Sequence, residues 1–168
     1  PFRLFLPALG WTGETSDMFH PREGSYNRVC VVMSSDGKFG ESSSYSAAIG
    51  QVLGRAAKIA VNQNIGRVRS GAIAAKGYLT DGKTPEEHYS EWGILDDAGY
   101  IFYRTFIGKN GYYLNGDATA TAISDDYCFL ANGRVIDKAV VIAYETYIDD
   151  ILDNIEVDAD SGAISTPL

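Results

Sequence analysis

Few residues in this chain are equipped for acid–base or nucleophilic chemistry, and its only histidines are His20 and His88. A hydrolytic triad joins a Ser or Cys nucleophile to a His and a carboxylate, and no spacing here joins either histidine to a particular serine. His20 precedes Pro21 and reads as a loop residue. His88 follows Glu86 and Glu87 on a short helix and reads as exposed or capping. The glycine-rich stretch Asp36-Gly-Lys-Phe-Gly-Glu-Ser-Ser lacks the spacing of a phosphate-binding loop, and no Gly-x-Gly-x-x-Gly follows a strand. Paired carboxylates recur at Asp96 and Asp97, Asp125 and Asp126, Asp149 and Asp150, and Asp158 and Asp160. The last pair lacks the glycine and the bidentate acid of a calcium loop. The separation that glycoside hydrolysis requires is spatial, so it selects none of these pairs. Helix capping is the simpler use of Asp125 and Asp126. Cys30 and Cys128 lie in apolar runs and read as reduced, buried thiols, with neither a disulfide framework nor zinc spacing. These residues point to no catalytic centre, no metal and no cofactor.

Charge carries more information. The formal net charge is -8, with nine basic and five acidic residues before position 77 and five basic and seventeen acidic residues from there on. Acidic excess disfavours nucleic-acid binding, which draws on clustered Lys and Arg. It suits a subunit that presents opposite charges at different faces to its own copies. Arg67 and Arg69, two apart in a segment that reads as strand between Ile65 and Ile73, are candidate assembly residues; so are Asp149, Asp150 and Asp153. Ordinary solvated positions are the plainer reading of these charges.

The elements that must position such residues are mixed α and β. The 168 residues fit one domain. Residues 1–27 show no sustained period and read as an extended arm or irregular segment ahead of a core over 28–168. Arg28 to Met33 is β-branched and ends in Ser-Ser-Asp-Gly, a strand and turn. Ile49, Val52, Leu53, Ala56, Ala57 and Ala60 recur three and four apart, which predicts a helix over 45–60 capped by Ser43 or Ser44. Gly50 and Gly54 on that helix read as a site of close backbone approach. Thr84-Pro-Glu-Glu starts a helix that ends near Gly93, followed by a turn at Asp96-Asp-Ala-Gly99. Tyr100 to Ile107 reads as a strand, and Lys109-Asn-Gly111 turns it into a partner reaching Asn115. Between Arg134 and Leu152 the positions Ile136, Val140, Ala143, Tyr144, Tyr147, Ile148 and Ile151 predict a helix with one buried face. No uninterrupted apolar run reaches membrane-spanning length.

Three segments in order resemble the core of phage tail sheath proteins: Gly111-Tyr-Tyr-Leu-Asn-Gly-Asp-Ala-Thr-Ala-Thr, Ser124-Asp-Asp-Tyr, and Asn132-Gly-Arg-Val-Ile-Asp-Lys. The family pattern places a strand near Gly-x-x-x-x-Gly-x-x-Thr, then a polar turn, then a helix opening on Arg-Val-Ile-Asp. Gly116, Thr119, Arg134, Val135, Ile136 and Asp137 match it. Upstream, Ala48 to Arg55, Asn64 to Gly71 and Trp92-Gly-Ile-Leu are similar to the family's preceding helix, loop and approach to the central strand. The resemblance covers residues 45–165. Ala118 departs from it where the family often carries a polar residue, and the chain stops before the family's further C-terminal elements, which include the arm linking neighbouring subunits.

The resemblance implies an α/β core in which helices pack a mixed sheet, as a single-domain fragment of a larger sheath subunit truncated at its C-terminus; the absence of an initiator Met is in keeping with a fragment. It implies a structural subunit that polymerises with its own copies around a tail tube protein, meets a baseplate, and contracts during injection. The setting would be a virion tail or a prophage-derived injection apparatus assembled in the bacterial cytoplasm. Two rival classes are a small hydrolase or nucleotide-binding enzyme, and a monomeric adhesion domain displaying its tyrosines. Mixed-charge mutations at Arg67 and Arg69 are expected to weaken assembly of the full-length protein, scored by pelleting; unaltered sheath formation would reject their role.

Overall fold

A computed structural model describes residues 2–38 and 45–151, apart from the side chain of Asp150. In chain order the elements are β1 (Leu4–Pro7), β2 (Ser25–Tyr26), β3 (Val29–Val32), β4 (Ser34–Ser35), β5 (Gly37–Lys38), β6 (Tyr45–Ser46), α1 (Ile49–Lys58), β7 (Tyr78–Leu79), α2 (Trp92–Ala98), β8 (Tyr100–Ile101), β9 (Tyr103–Arg104), β10 (Tyr113–Leu114), β11 (Ala120–Thr121) and α3 (Leu130–Ile151). Short 3₁₀ turns lie at Pro21–Glu23, Val68–Ser70 and Pro85–Glu91. The architecture is α/β, as the sequence implies.

The central sheet is parallel in the order β1-β3-β8, with Leu4 opposite Val29 and Val31 opposite Tyr100. Leu4–Pro7, read from sequence as part of an arm, is therefore a sheet strand. A parallel sheet covered on both faces needs apolar residues at successive positions, and the strands meet that requirement by alternation. Val31, Met33, Tyr100 and Phe102 enter one apolar cluster with Leu95 and Ala98 of α2. Cys30, Val32, Ile101 and Tyr103 enter a second with Val52 of α1 and Leu130. Burial pushes the Cys30 thiol up to about 12, with Asp117 adding to the shift, so it stays protonated as a small core residue.

The strand expected over 100–107 is broken. Asn115 causes the break: its Oδ1 accepts from the Phe102 N–H at 2.8 Å, its Nδ2 donates to the Tyr100 carbonyl at 2.9 Å, and its own N–H bonds the Phe102 carbonyl at 3.0 Å. A side-chain amide thus occupies a ladder position. β8 remains with β3, while β9 turns through the loop containing Asn110 and Gly111 to pair antiparallel with β10. Residues 65–73, expected as strand, instead hold the 3₁₀ turn Val68–Ser70.

Three helical expectations also change. Helix α1 begins at Ile49, because Tyr45–Ser46 pairs with Gly37–Lys38 as β6; Ser43 and Ser44 lie outside the described residues. A Cβ at Gly50 or Gly54 would meet nothing within 4 Å, so these glycines make no close approach among the described residues. Asp96 to Ala98 is the last turn of α2 rather than a separate turn, closed by Gly99 at φ +95° whose N–H returns to the Leu95 and Asp96 carbonyls.

The chain divides between Val135 and Ile136 into two compact units, and the sheet and both apolar clusters lie in the first. In the second, the predicted buried face is instead exposed: Ile136, Val140, Tyr144, Tyr147, Ile148 and Ile151 show 44–65% of their surface. The reason is that apolar side chains run nearly all round this part of the helix, Ile142 included, which is the pattern of a helix buried on several sides by other chain.

Replacing Gly99 by Ala forces a side chain into left-handed backbone and brings its Cβ to 2.7 Å from Arg22 Cγ. The expected cost is about 1–2 kcal/mol, seen as a fall of a few degrees in the thermal midpoint.

Candidate functional site

The densest polar construction in the first unit is built around Asp117, which is fully buried. It follows β10 and precedes β11, so the backbone enters the core there. Its carbonyl accepts from the Leu130 N–H at 2.8 Å and its Oδ2 from the Ala131 N–H at 3.0 Å, which satisfies the first turn of α3. Its Oδ1 accepts from Asn64 Nδ2 at 2.5 Å. Asn64 in turn accepts from the Gly66 N–H at 2.7 Å, folding its loop back on itself. Gly66 is needed there: a Cβ would stand 2.9 Å from the Leu114 carbonyl and 3.0 Å from the Gly116 nitrogen. Burial raises the Asp117 pKa, opposed by the Ala131 and Asp117 N–H groups and by Arg134.

Two of the residues that match the sheath pattern, Thr119 and Arg134, make structural hydrogen bonds in the same unit. Thr119, also fully buried, donates its hydroxyl to the Tyr127 carbonyl at 2.7 Å, and its N–H bonds the Cys128 carbonyl at 3.0 Å. Arg134 Nη2 donates to the Ala56 and Ile59 carbonyls at 2.7 and 3.1 Å, closing the C-terminal end of α1. Asp117 and Arg134 therefore terminate two different helices from opposite charge states. Val135 is exposed, and Asp137 is partly buried one turn along from Gly133. Asp125 and Asp126 do not cap α3, as the sequence suggested; Asp125 closes its own turn, accepting from the Tyr127 N–H at 2.7 Å.

A second cluster surrounds His88, which is buried rather than exposed. Nε2 lies 2.8 Å from Asp81 Oδ2, and Nδ1 contacts Glu91 Oε2. Trp11 packs on the ring at 4.8 Å between centroids. Carboxylates occupy both nitrogens, so neither is left to accept a proton from a nucleophile. The start at Thr84 is as expected, with its N–H and hydroxyl both donating to Glu87 Oε2. His20 is exposed and makes no capping hydrogen bond.

The proposed assembly charges lie at the surface where they are described. Arg67 and Arg69 are exposed beside and within the Val68–Ser70 turn, and Asp149 is exposed on α3. The side chain of Asp150 is not described, and Asp153 lies outside the described residues, as do Asp158 and Asp160. Among the described residues no group of three or more His, Cys, Asp or Glu side chains is placed to hold a metal. A cavity of about 400 Å³ lies beneath the Leu6–Phe19 segment against Val31, Met33 and Tyr100. A cleft of about 340 Å³ runs past Asp96, Asp97 and Asp117.

Sequence reasoning passed over Asp117 as a site residue, although it sits inside the quoted motif. It also missed Asn64 and Asn115, whose only signal is an Asn next to a Gly or an apolar strand.

Such an arrangement defines an α/β module in which Asp117, Thr119, Asn115 and His88 are committed to joining its own elements. Residues 7–118, more than half of the chain, match the family model DUF2586, N-terminal domain. The chain belongs to that family. Among solved structures it is similar to a chain of the anti-feeding prophage (AFP) baseplate, determined by cryo-EM with six-fold symmetry, at a TM-score of 0.56 and 14% identity. The likeness covers 92% of this chain and 39% of that one, so the chain spans well under half the length of its structural neighbour. No curated protein matches it. The shared fold extends over nearly all the elements described above.

Asp117→Ala leaves the Ala131 N–H and the Asn64 amide without their acceptor and is expected to cost about 2 kcal/mol in a denaturant titration. The raised pKa gives a distinct signature. Above the ordinary value near 3.8 the unfolded chain has lost the proton that folded Asp117 still holds, so this residue's contribution falls as pH rises through the folded value. Asp117→Asn should flatten that slope; an unchanged slope would assign it to another group.

Proposed function

We propose that this chain is the core of a structural subunit of a contractile tail sheath, in a phage tail or a prophage-derived injection apparatus. Copies of it polymerise around a tail tube protein, adjoin a baseplate, and contract together during injection, after assembly in the bacterial cytoplasm. The observation that carries this reading is the fold shared across 92% of the chain with a component of the AFP baseplate, an assembly built with six-fold symmetry. The ordered Gly116, Thr119 and Arg134 to Asp137 pattern supports the sheath assignment in particular.

Two physical features favour an assembling subunit. The apolar residues of α3 beyond Val135 are exposed all round, a surface that requires further protein to cover it. Contraction requires two packings of the same subunits with a biased equilibrium between them, which calls for rigid modules moving as bodies; the Asp117 and Arg134 ties fix the ends of α3 and α1 in that manner. Arg67, Arg69 and Asp149 are exposed and so available to neighbouring subunits, and Asp150 and Asp153 are proposed alongside them. The chemistry proposed is association, with no bond made or broken. Among the described residues no helix is long and apolar enough to cross a membrane.

Electron microscopy of the full-length protein, produced together with its tube protein, tests the assignment. Hollow tubes or stacked rings around the tube are expected. A stable monomer that leaves the tube bare would overturn the sheath reading, and rings confined to one end of the tube would move the protein to the baseplate.

A further inference from the structure

Arg104 has a setting that the internal architecture does not use. It lies on β9 opposite Tyr113, and its guanidinium carbon is 5.1 Å from the Trp92 ring and 4.6 Å from the Phe106 ring. Both rings are themselves fixed. Trp92 donates its indole N–H to the Pro85 carbonyl at 2.8 Å and packs on Tyr89 at 4.9 Å, and Phe106 meets Tyr113 edge-on at 5.5 Å. A guanidinium held close to two rings loses little freedom on binding, and the donors left for a ligand are its two terminal Nη groups. In-plane, two-pronged acceptance from an Arg is carboxylate chemistry.

Among the described residues these terminal nitrogens have no hydrogen-bond partner. Arg104 Nε is buried without a hydrogen bond, and the guanidinium forms no ion pair among the described residues. The acidic residues of the Pro85–Glu91 turn packed beside β9 are engaged elsewhere: Glu91 with His88, Glu86 with the Tyr112 hydroxyl, Glu87 with Thr84. Tyr89 is 71% exposed beside the clamp, so its rim is aromatic and accessible. Trp, Tyr and Arg in one small patch make the composition of a binding hot spot.

We propose that the Arg104 clamp receives a carboxylate from α3 of a second copy of this chain. Charge complementarity and the character of that helix both point to this occupant. The chain carries 22 acidic residues against 14 basic ones, so a copy offers carboxylates far more readily than cations. On α3 the exposed Glu145 and Asp149 stand among exposed Tyr144, Tyr147 and Ile148, which match an arginine framed by aromatic rings. The two sets of residues differ, so the contact can be made head to tail and propagate from copy to copy, as an open helical array requires. This inference rests on the assembly reading above and assigns it one pair of contacting faces.

The test uses the full-length protein, with self-association followed by sedimentation and melting temperature measured in parallel. Arg104→Ala is expected to raise the concentration needed for assembly by at least about tenfold, Arg104→Glu by more, and Arg104→Lys by less than either. Adding Glu145→Lys and Asp149→Lys to Arg104→Glu should recover part of the loss, with melting temperatures close to that of the unaltered protein. Assembly by Arg104→Glu at the wild-type concentration would overturn the clamp while leaving the sheath reading intact. A loss of assembly that tracks a loss of melting temperature would overturn it too, since the arginine would then only brace its hairpin. Wild-type protein that never self-associates would remove the assembly reading and this inference together.

Discussion

The fold of the first unit hangs on a buried carboxylate placed where three chain segments meet. Asp117 terminates α3, receives the Asn64 loop, and leaves β10 for β11 within a few residues. Taking a carboxylate out of water is costly, and the raised pKa registers that cost. The cost is offset because each hydrogen bond it accepts satisfies a donor that helix geometry or a tight loop would otherwise leave unmet. Arg134, one turn further along α3, extends the same logic by closing α1. The helix whose start depends on Asp117 is thereby also the helix that finishes its neighbour.

What could be read in advance followed from periodicity. β3 and the Tyr100–Tyr103 region were visible because a strand buried on both faces needs apolar residues at every position, and Val29 to Val32 supplies them. The three and four spacing gave α1 and the existence of α3, and Thr84-Pro-Glu-Glu gave a helix start. The Asn-Gly pair gave the hairpin between β9 and β10. Each of these signals is local, and the family resemblance rested on the same local strings.

The remainder depended on partners that sequence distance hides. The cap of α3 comes from a residue 14 positions before Ala131, and the Asn64 contact spans 53 positions. Asp125 and Asp126 stood closer to the helix and looked the better caps. His88 lies on a segment dense in charge, which predicts exposure, yet Asp81 and Glu91 allow it to be buried by hydrogen-bonding both ring nitrogens. Asn115 splits a run that is apolar and β-prone throughout, and no propensity scale distinguishes an amide that enters the ladder from one that faces solvent. The three and four spacing on α3 correctly indicated a helix, but with apolar residues nearly all round it periodicity does not single out a buried face.

The parallel sheet also sets the order in which the molecule must come together. β1 and β3 are made early, but the strand that completes the sheet, β8, arrives about seventy residues later, and Asp117 later still. A parallel pairing across such a distance is slow, because the intervening loop must close before any contact rewards it. During synthesis the apolar run Val29 to Val32 can pair with β1 while its other edge waits for β8, as a nascent chain in need of shelter.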